Sequence, residues 1–133
     1  MDKKILIIED DYLMGKTLSI MVDRIDYIPV QTNSGKDALA ALREDETSSI
    51  IVAIIDLNLP GENGADLLGS IKMARPNLSA ILCTGMVDDP IANVSYDLFG
   101  FDNVLKKPFS EEDFGKVVRK VIDEQKQNES VLA

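Results

Sequence analysis

The spacing of apolar residues predicts several strands that are buried inside a sheet. Two uninterrupted apolar runs, at residues 5–8 and 50–55, are each followed directly by carboxylates. Runs of this kind are typical of strands that are covered on both faces, as in parallel sheets. Weaker runs predict three more strands, and the first of them contains a proline that suits an edge strand. These strands are expected at 27–31, 78–83 and 103–105.

Between the strands, apolar residues recur at helical spacing, and polar caps mark where helices begin. Two helices are expected at about 12–25 and about 35–44. Three more are expected to begin after Asn63, after Asp88 or Asp89, and after Ser110. Because each strand is followed by a helix, the strands should run parallel. The predicted fold class is α/β: a doubly wound five-stranded parallel sheet in the order 2-1-3-4-5, a flavodoxin-like three-layer sandwich.

Composition narrows the possible functions. The 133 residues suffice for one domain, expected over 1–124, with 125–133 as a polar C-terminal tail that frays or begins a linker. The formal net charge of −9 opposes direct nucleic-acid binding. No apolar stretch is long enough to span a membrane and no signal peptide is recognised, so we expect a cytoplasmic protein without membrane contact. Histidine is absent, so any chemistry must use carboxylates, hydroxyls, lysines or an ion.

Acidic residues follow the two strongest strands. Taken alone, the strand before Asp56 favours neither of two explanations: Asp56 is a residue of a functional site, or it is the first polar residue of a loop. The order 2-1-3-4-5, however, makes strands 1 and 3 neighbours, so Glu9, Asp10 and Asp56 should share one crevice. Carboxylates that converge in this way repel one another, and a hard divalent cation explains the cluster. We therefore predict a Mg²⁺ site, with the carbonyl of Asn58 as a further ligand.

Polar groups also follow strands 4 and 5. Thr84 supplies a hydroxyl and Lys107 a cation at the edge of the sheet that carries the acids. Each residue also has an ordinary explanation. Thr84 would then be a hydroxyl that caps a turn, and Lys107 a solvated loop lysine. Their arrival together at the carboxyl ends of the strands favours one common site.

Four short motifs in this order resemble the receiver domain of two-component response regulators, over about residues 3–123. The motifs are Glu9-Asp10, Asp56-Leu57-Asn58-Leu59-Pro60-Gly61, Thr84-Gly85 and Lys107-Pro108. The resemblance implies that Asp56 accepts a phosphoryl group from a phosphohistidine on a sensor histidine kinase or a histidine phosphotransfer protein. It also implies that Thr84 and Lys107 bind the phosphoryl group, that Mg²⁺ is held by Glu9, Asp10, Asp56 and the Asn58 carbonyl, and that the Lys107–Pro108 peptide is cis.

By the same resemblance, the chain is a phosphoacceptor switch and not an enzyme, although it assists its own phosphorylation and dephosphorylation. Phosphorylation would change the face formed by helix 4, strand 5 and helix 5, which is read by a downstream output domain or protein.

The sequence departs from the family pattern at three places. Val104 occupies a position that is usually Tyr or Phe, so the usual aromatic readout is in doubt. Phe101 replaces a common alanine beside Tyr96 and Phe99; we expect this cluster to pack in the core, with a partner-docking patch as the alternative. Met86 cannot orient a water molecule, which predicts slow self-dephosphorylation.

The sequence argues against two alternative functions. A pseudo-receiver that binds partners without phosphorylation would typically lack the acceptor aspartate, an acid of the pair or the lysine, and this chain keeps all of them. A small Mg²⁺-dependent phosphatase or nucleotide-binding enzyme would need a glycine-rich phosphate loop, which the sequence lacks.

Overall fold

Strands and helices alternate along the whole chain, as the apolar pattern predicts. The computed structural model describes residues 2–86, 88–101 and 103–132. The elements are β1 (Lys4–Ile8), α1 (Tyr12–Arg24), β2 (Ile28–Thr32), α2 (Gly35–Glu44), β3 (Ile50–Asp56), α3 (Gly64–Ala74), β4 (Ser79–Thr84), α4 (Pro90–Phe99), β5 (Asn103–Lys106) and α5 (Glu111–Leu132). The strands form one parallel sheet in the order β2-β1-β3-β4-β5, which confirms the predicted fold class.

Alternate residues of the central strands enter two separate apolar cores. On β1, Ile5 and Ile7 face the core that α1 and α5 cover. Leu6 and Ile8 face the opposite core, which contains buried residues of α2 and α3 and is contacted by α4. Because successive side chains of a strand point to opposite faces, a run buried throughout needs helices on both sides. The result is the predicted three-layer sandwich.

Short polar side chains begin the helices where the sequence indicates. The side chains of Ser34 and Asn63 accept backbone N–H groups in the first turns of α2 and α3, and Ser110 does the same for α5. Asp11 caps α1 by accepting the N–H of Met14 at 3.2 Å, so it directly precedes the helix.

The last helix is longer than expected. It continues through Leu132, beyond Lys126, where the sequence suggested fraying. Gln125 anchors this part of the helix, because its side-chain amide donates to the carbonyl of Ile51 at 2.9 Å and to the Ser79 hydroxyl at 3.2 Å. The domain boundary at residue 124 stays a prediction, and Ala133 lies outside the described residues. Among the helices of the described ranges, none combines the length and apolarity that crossing a membrane requires.

Phe101 belongs to the core and not to a docking surface. Its side chain is only 6% exposed, and its ring lies 6.0 Å from that of Phe99, which packs on the same core. The hypothesis of a docking patch that includes Phe101 is therefore wrong, because a buried ring cannot anchor a partner. Of the three aromatic residues, only Tyr96 is largely exposed.

Candidate functional site

Three carboxylates converge where β1 and β3 end. Ile8 pairs with Ile55, so the residues that follow them, Glu9 and Asp56, leave the sheet side by side. One carboxylate oxygen from each of Glu9, Asp10 and Asp56 lies within 4.8 Å of the others. Glu9 and Asp56 are buried and Asp10 is exposed, so the cluster opens to solvent on one side. The predicted convergence of the three acids is confirmed.

The two buried acids have opposite protonation tendencies. Burial and the neighbouring Asp56 carboxylate raise the pKa of Glu9 to about 8. Burial alone would also raise the pKa of Asp56, but hydrogen bonds from Glu9 and from the backbone N–H of Asn58, together with the charge of Lys107, hold it below its usual value. Asp56 is thus the acid of this pair that remains ionised near neutral pH.

One oxygen of the cluster is suited to a cation. Oε2 of Glu9 is buried and has no hydrogen-bond partner within the described ranges. Buried polar atoms are normally paired, and an unpaired carboxylate oxygen beside two other carboxylates is the type of ligand that a hard divalent cation prefers. Glu9, Asp10 and Asp56 therefore fit a metal of the Mg²⁺ type.

The loop after Asp56 is held firmly. Leu57 and Leu59 are buried on either side of Asn58, whose side chain is exposed. The N–H of Asn58 donates to Oδ1 of Asp56 at 3.0 Å, which fixes the start of the loop. Farther along, Oε1 of Glu62 accepts the N–H of Gly35 at 2.8 Å and so fastens the loop to α2. The role of the Asn58 carbonyl as a metal ligand stays a prediction.

Lys107 lies among the acids. Its Nζ is 3.3 Å from Oε1 of Glu9 and 3.4 Å from Oδ1 of Asp56, and its side chain is 25% exposed. Burial lowers the pKa of Lys107, but the charges of Asp56 and Glu9 outweigh this effect and raise it, so the amine stays protonated. A solvated loop lysine is therefore excluded. The Lys107–Pro108 peptide is cis, as the sequence resemblance implied.

Thr84 ends β4 at the same edge of the sheet. Asp56 pairs with Cys83, so Thr84 lies one residue beyond the level of Asp56 on the adjacent strand. The buried Thr84 hydroxyl accepts the N–H of Met86 at 3.0 Å and donates to Oδ2 of Asp89 at 2.6 Å. The first contact confirms that Thr84 caps a turn.

Asp89 is a residue of this region that the sequence interpretation missed. It was expected only as one of two possible caps of α4. The structure selects it, because its Oδ1 accepts the N–H of Ile91 at 2.9 Å and its carbonyl accepts the N–H of Asn93. Its other carboxylate oxygen binds Thr84. The sequence signal was an acid directly before a proline at a helix start, which indicates a cap but not the second contact.

These groups suit transfer of a negatively charged group to a carboxylate. Asp56 supplies an ionised oxygen, Lys107 a cation beside it, and the acid cluster a position for a hard metal. Phosphoryl transfer depends mainly on positioning and charge neutralisation, so the absence of histidine does not exclude it.

Comparison with known proteins agrees with this chemistry. The family description "Response regulator receiver domain" matches residues 5–119 of the chain. Among curated proteins, transcription factor SKN7 of Chaetomium thermophilum is 24% identical over 121 residues, which are 90% of this chain and 16% of that protein. The cell cycle response regulator CtrA of Brucella ovis is 21% identical over 112 residues, 83% of this chain and 46% of that protein. The chain thus spans less than half of each of these relatives.

Solved structures show the same fold. A CheY-like response regulator receiver domain protein of Methanospirillum hungatei JF-1 matches with a TM-score of 0.85 and 24% identity, covering 96% of this chain and 99% of that one. A response regulator receiver domain protein of Clostridium thermocellum matches with a TM-score of 0.84 and 26% identity, covering 94% and 98% of the two chains.

Proposed function

Because the chain belongs to the response regulator receiver family, we propose that it is a phosphorylation switch whose acceptor is Asp56. The observation that carries this proposal is the environment of Asp56: its pKa is held low, and its Oδ1 lies 3.4 Å from the Lys107 amine. An acceptor carboxylate must be ionised to act as a nucleophile, and this environment keeps it so.

In the proposed reaction, a carboxylate oxygen of Asp56 attacks the phosphorus atom of a phosphohistidine. The new O–P bond forms as the P–N bond breaks, and the departing imidazole nitrogen keeps the bonding electrons and takes a proton from solvent. Lys107 pairs with a phosphoryl oxygen, and the Thr84 hydroxyl donates a hydrogen bond to another. The protein remains modified after one transfer, so we assign it as a switch that assists its own reactions and not as an enzyme.

We assign the cation site to Mg²⁺, held by Glu9, Asp10, Asp56 and the carbonyl of Asn58. When bound, this ion neutralises charge on the acids and on the transferred group. The unpartnered oxygen of Glu9 supports the assignment. Asp10 is exposed, which suits a metal that retains several water molecules.

The phosphodonor partner is proposed to be a sensor histidine kinase or a histidine phosphotransfer protein. The signal is passed to a downstream output domain or protein, which contacts the face of α4, β5 and α5. We propose a cytoplasmic location and no direct binding to nucleic acid, because the net charge of −9 repels phosphate backbones.

Intact mass spectrometry after incubation with acetyl phosphate, with and without Mg²⁺, tests the proposal. We expect a Mg²⁺-dependent gain of one phosphoryl group that Asp56→Asn abolishes. Asp23→Asn, a matched change at an exposed residue of α1, should leave the gain intact. If the wild type acquires no phosphoryl group under any condition, the pseudo-receiver, a binding module that works without phosphorylation, replaces the switch.

A further inference from the structure

The Thr84 hydroxyl already donates its hydrogen bond to a partner in this structure. It donates to Oδ2 of Asp89 at 2.6 Å, and both residues are buried, at 4% and 7% exposure. A hydroxyl group carries one hydrogen and can donate only one such bond. Any phosphoryl oxygen that takes a hydrogen bond from Thr84 must therefore take it from Asp89.

Asp89 joins Thr84 to the start of α4. Its Oδ1 accepts the N–H of Ile91 at 2.9 Å while its Oδ2 holds Thr84, so one carboxylate serves both the end of β4 and the first turn of α4. Loss of the bond to Thr84 leaves a buried carboxylate oxygen without its donor, which is unfavourable.

We propose that Asp89 is a positioning residue that competes with the phosphoryl group for the Thr84 hydroxyl, so that phosphorylation releases the first turn of α4. This inference rests on the proposed function. It provides a route from the site to a surface on which the side chains of Val94 and Leu98 are 40% and 67% exposed. The route requires no aromatic residue at position 104.

Asp89→Asn tests the competition without removing the helix cap. Asparagine caps helices about as well as aspartate, so its oxygen can retain the N–H of Ile91. The amide nitrogen then faces Thr84 and donates to it, which leaves the hydroxyl hydrogen available to another acceptor. Asp88→Asn is the matched control. Asp88 is exposed and has a φ of 53°, a left-handed conformation that asparagine also tolerates.

The first measurement is the affinity for fluoroberyllate with Mg²⁺, a mimic of the carboxylate-bound phosphoryl group. Asp89→Asn should tighten binding roughly tenfold, the effect of one hydrogen bond to a charged group. In a Thr84→Val background the same change should alter binding by less than about twofold, because the shared donor is gone. Asp88→Asn should also stay within about twofold of the wild type.

The second measurement is hydrogen exchange at the Ile91 amide. Adduct formation should accelerate this exchange several-fold in the wild type, and in the unmodified protein Thr84→Val alone should accelerate it. If Asp89→Asn misfolds, Asp89→Ser, which also caps helices, replaces it in both measurements.

The proposal is overturned if Asp89→Asn leaves the affinity for fluoroberyllate unchanged, or if it tightens binding equally in the Thr84→Val background. It is also overturned if neither the adduct nor Thr84→Val changes the rate of exchange at the Ile91 amide. Failure of the wild type to form any adduct would instead overturn the proposed function, and this inference with it. If the adduct forms normally but neither the adduct nor Thr84→Val changes the exchange at Ile91, the inference alone is overturned.

Discussion

Replacement of Asp45 by asparagine should destabilise the fold strongly, although Asp45 contacts the opposite end of β3 from the acceptor. Asp45 follows α2 and accepts the backbone N–H groups of Ser49 and Ile50 at 3.0 and 2.8 Å. It also pairs with Arg75, the C-cap residue of α3. One buried carboxylate thus joins α2 and α3 to the amino end of the strand whose other end carries Asp56.

The magnitude follows from what asparagine cannot replace. Its single oxygen can accept one of the two N–H groups, and its NH₂ group faces the other donors. The Asp45 side chain is 5% exposed and that of Arg75 is 18% exposed, so Arg75 would keep a poorly solvated charge without its anionic partner. Breaking a buried ion pair costs about 3–5 kcal/mol, and the partial exposure of Arg75 reduces this to about 3 kcal/mol.

The effect should depend on pH in a defined direction. Burial alone would raise the pKa of Asp45, but the hydrogen bonds from Ile50, Arg75 and Ser49 lower it below the usual value. The folded protein therefore binds a proton at Asp45 less readily than the unfolded chain. Its stabilisation is complete above about pH 4, the unfolded value, and is lost as the pH falls through the lower folded value.

Urea denaturation monitored by circular dichroism, at neutral pH and at several acidic values, measures this effect. Asp23→Asn is a control at an exposed aspartate and should lie within about 0.5 kcal/mol of the wild type. The double variant Asp45→Asn, Arg75→Met should be more stable than Asp45→Asn alone. The reasoning is refuted if Asp45→Asn matches the control at neutral pH, or if its deficit grows as the pH falls.

Three further predictions concern the site itself. In a chelator, the stability of Glu9→Gln relative to the wild type should increase by about 1–3 kcal/mol as the pH rises from 4.5, the ordinary value, to about 8, the raised pKa of Glu9, and then level off, because only the folded wild type binds the Glu9 proton in that range; thermal unfolding checks this, and a constant gap would contradict it. Met86→Gln should shorten the lifetime of the phosphorylated form several-fold, since the exposed apolar side chain cannot orient water; intact mass over time measures this, and an unchanged lifetime would count against it. The Cys83 thiol, buried and with its pKa raised by burial to about 12, should not react with iodoacetamide until the protein unfolds; rapid labelling of the native protein would disprove this.

The sheet order and the acid cluster could be predicted because both follow from rules that act over short stretches. An apolar run that ends in acid specifies a buried strand and the edge where its carboxylate emerges. The crossover rule then places the ends of β1 and β3 together. Glu9, Asp10 and Asp56 could be located in this way before any coordinate was known.

The contacts of Thr84 and Asp89 could not be predicted in the same way. They depend on the path of a short loop that returns an N-cap carboxylate to the end of the preceding strand, and the sequence left Asp88 and Asp89 as equal candidates. Phe101 shows the same limit from the other direction. An aromatic residue after Gly100 suits both a surface and a core, and only the packing against Phe99 decides between them.

The site joins residues that are distant along the chain, since the contact between Lys107 and Glu9 spans 98 positions. Lys107 directly follows β5, which pairs with β4 and is the last strand in the order of the described sheet. A sheet of β1 and β3 that lacked β5 would bring the acids together without Lys107, their lysine partner within the described residues. Docking of the last strand therefore also completes the charge balance of the centre, and a divalent cation in the surrounding solution can take over that role while the edge of the sheet is still open.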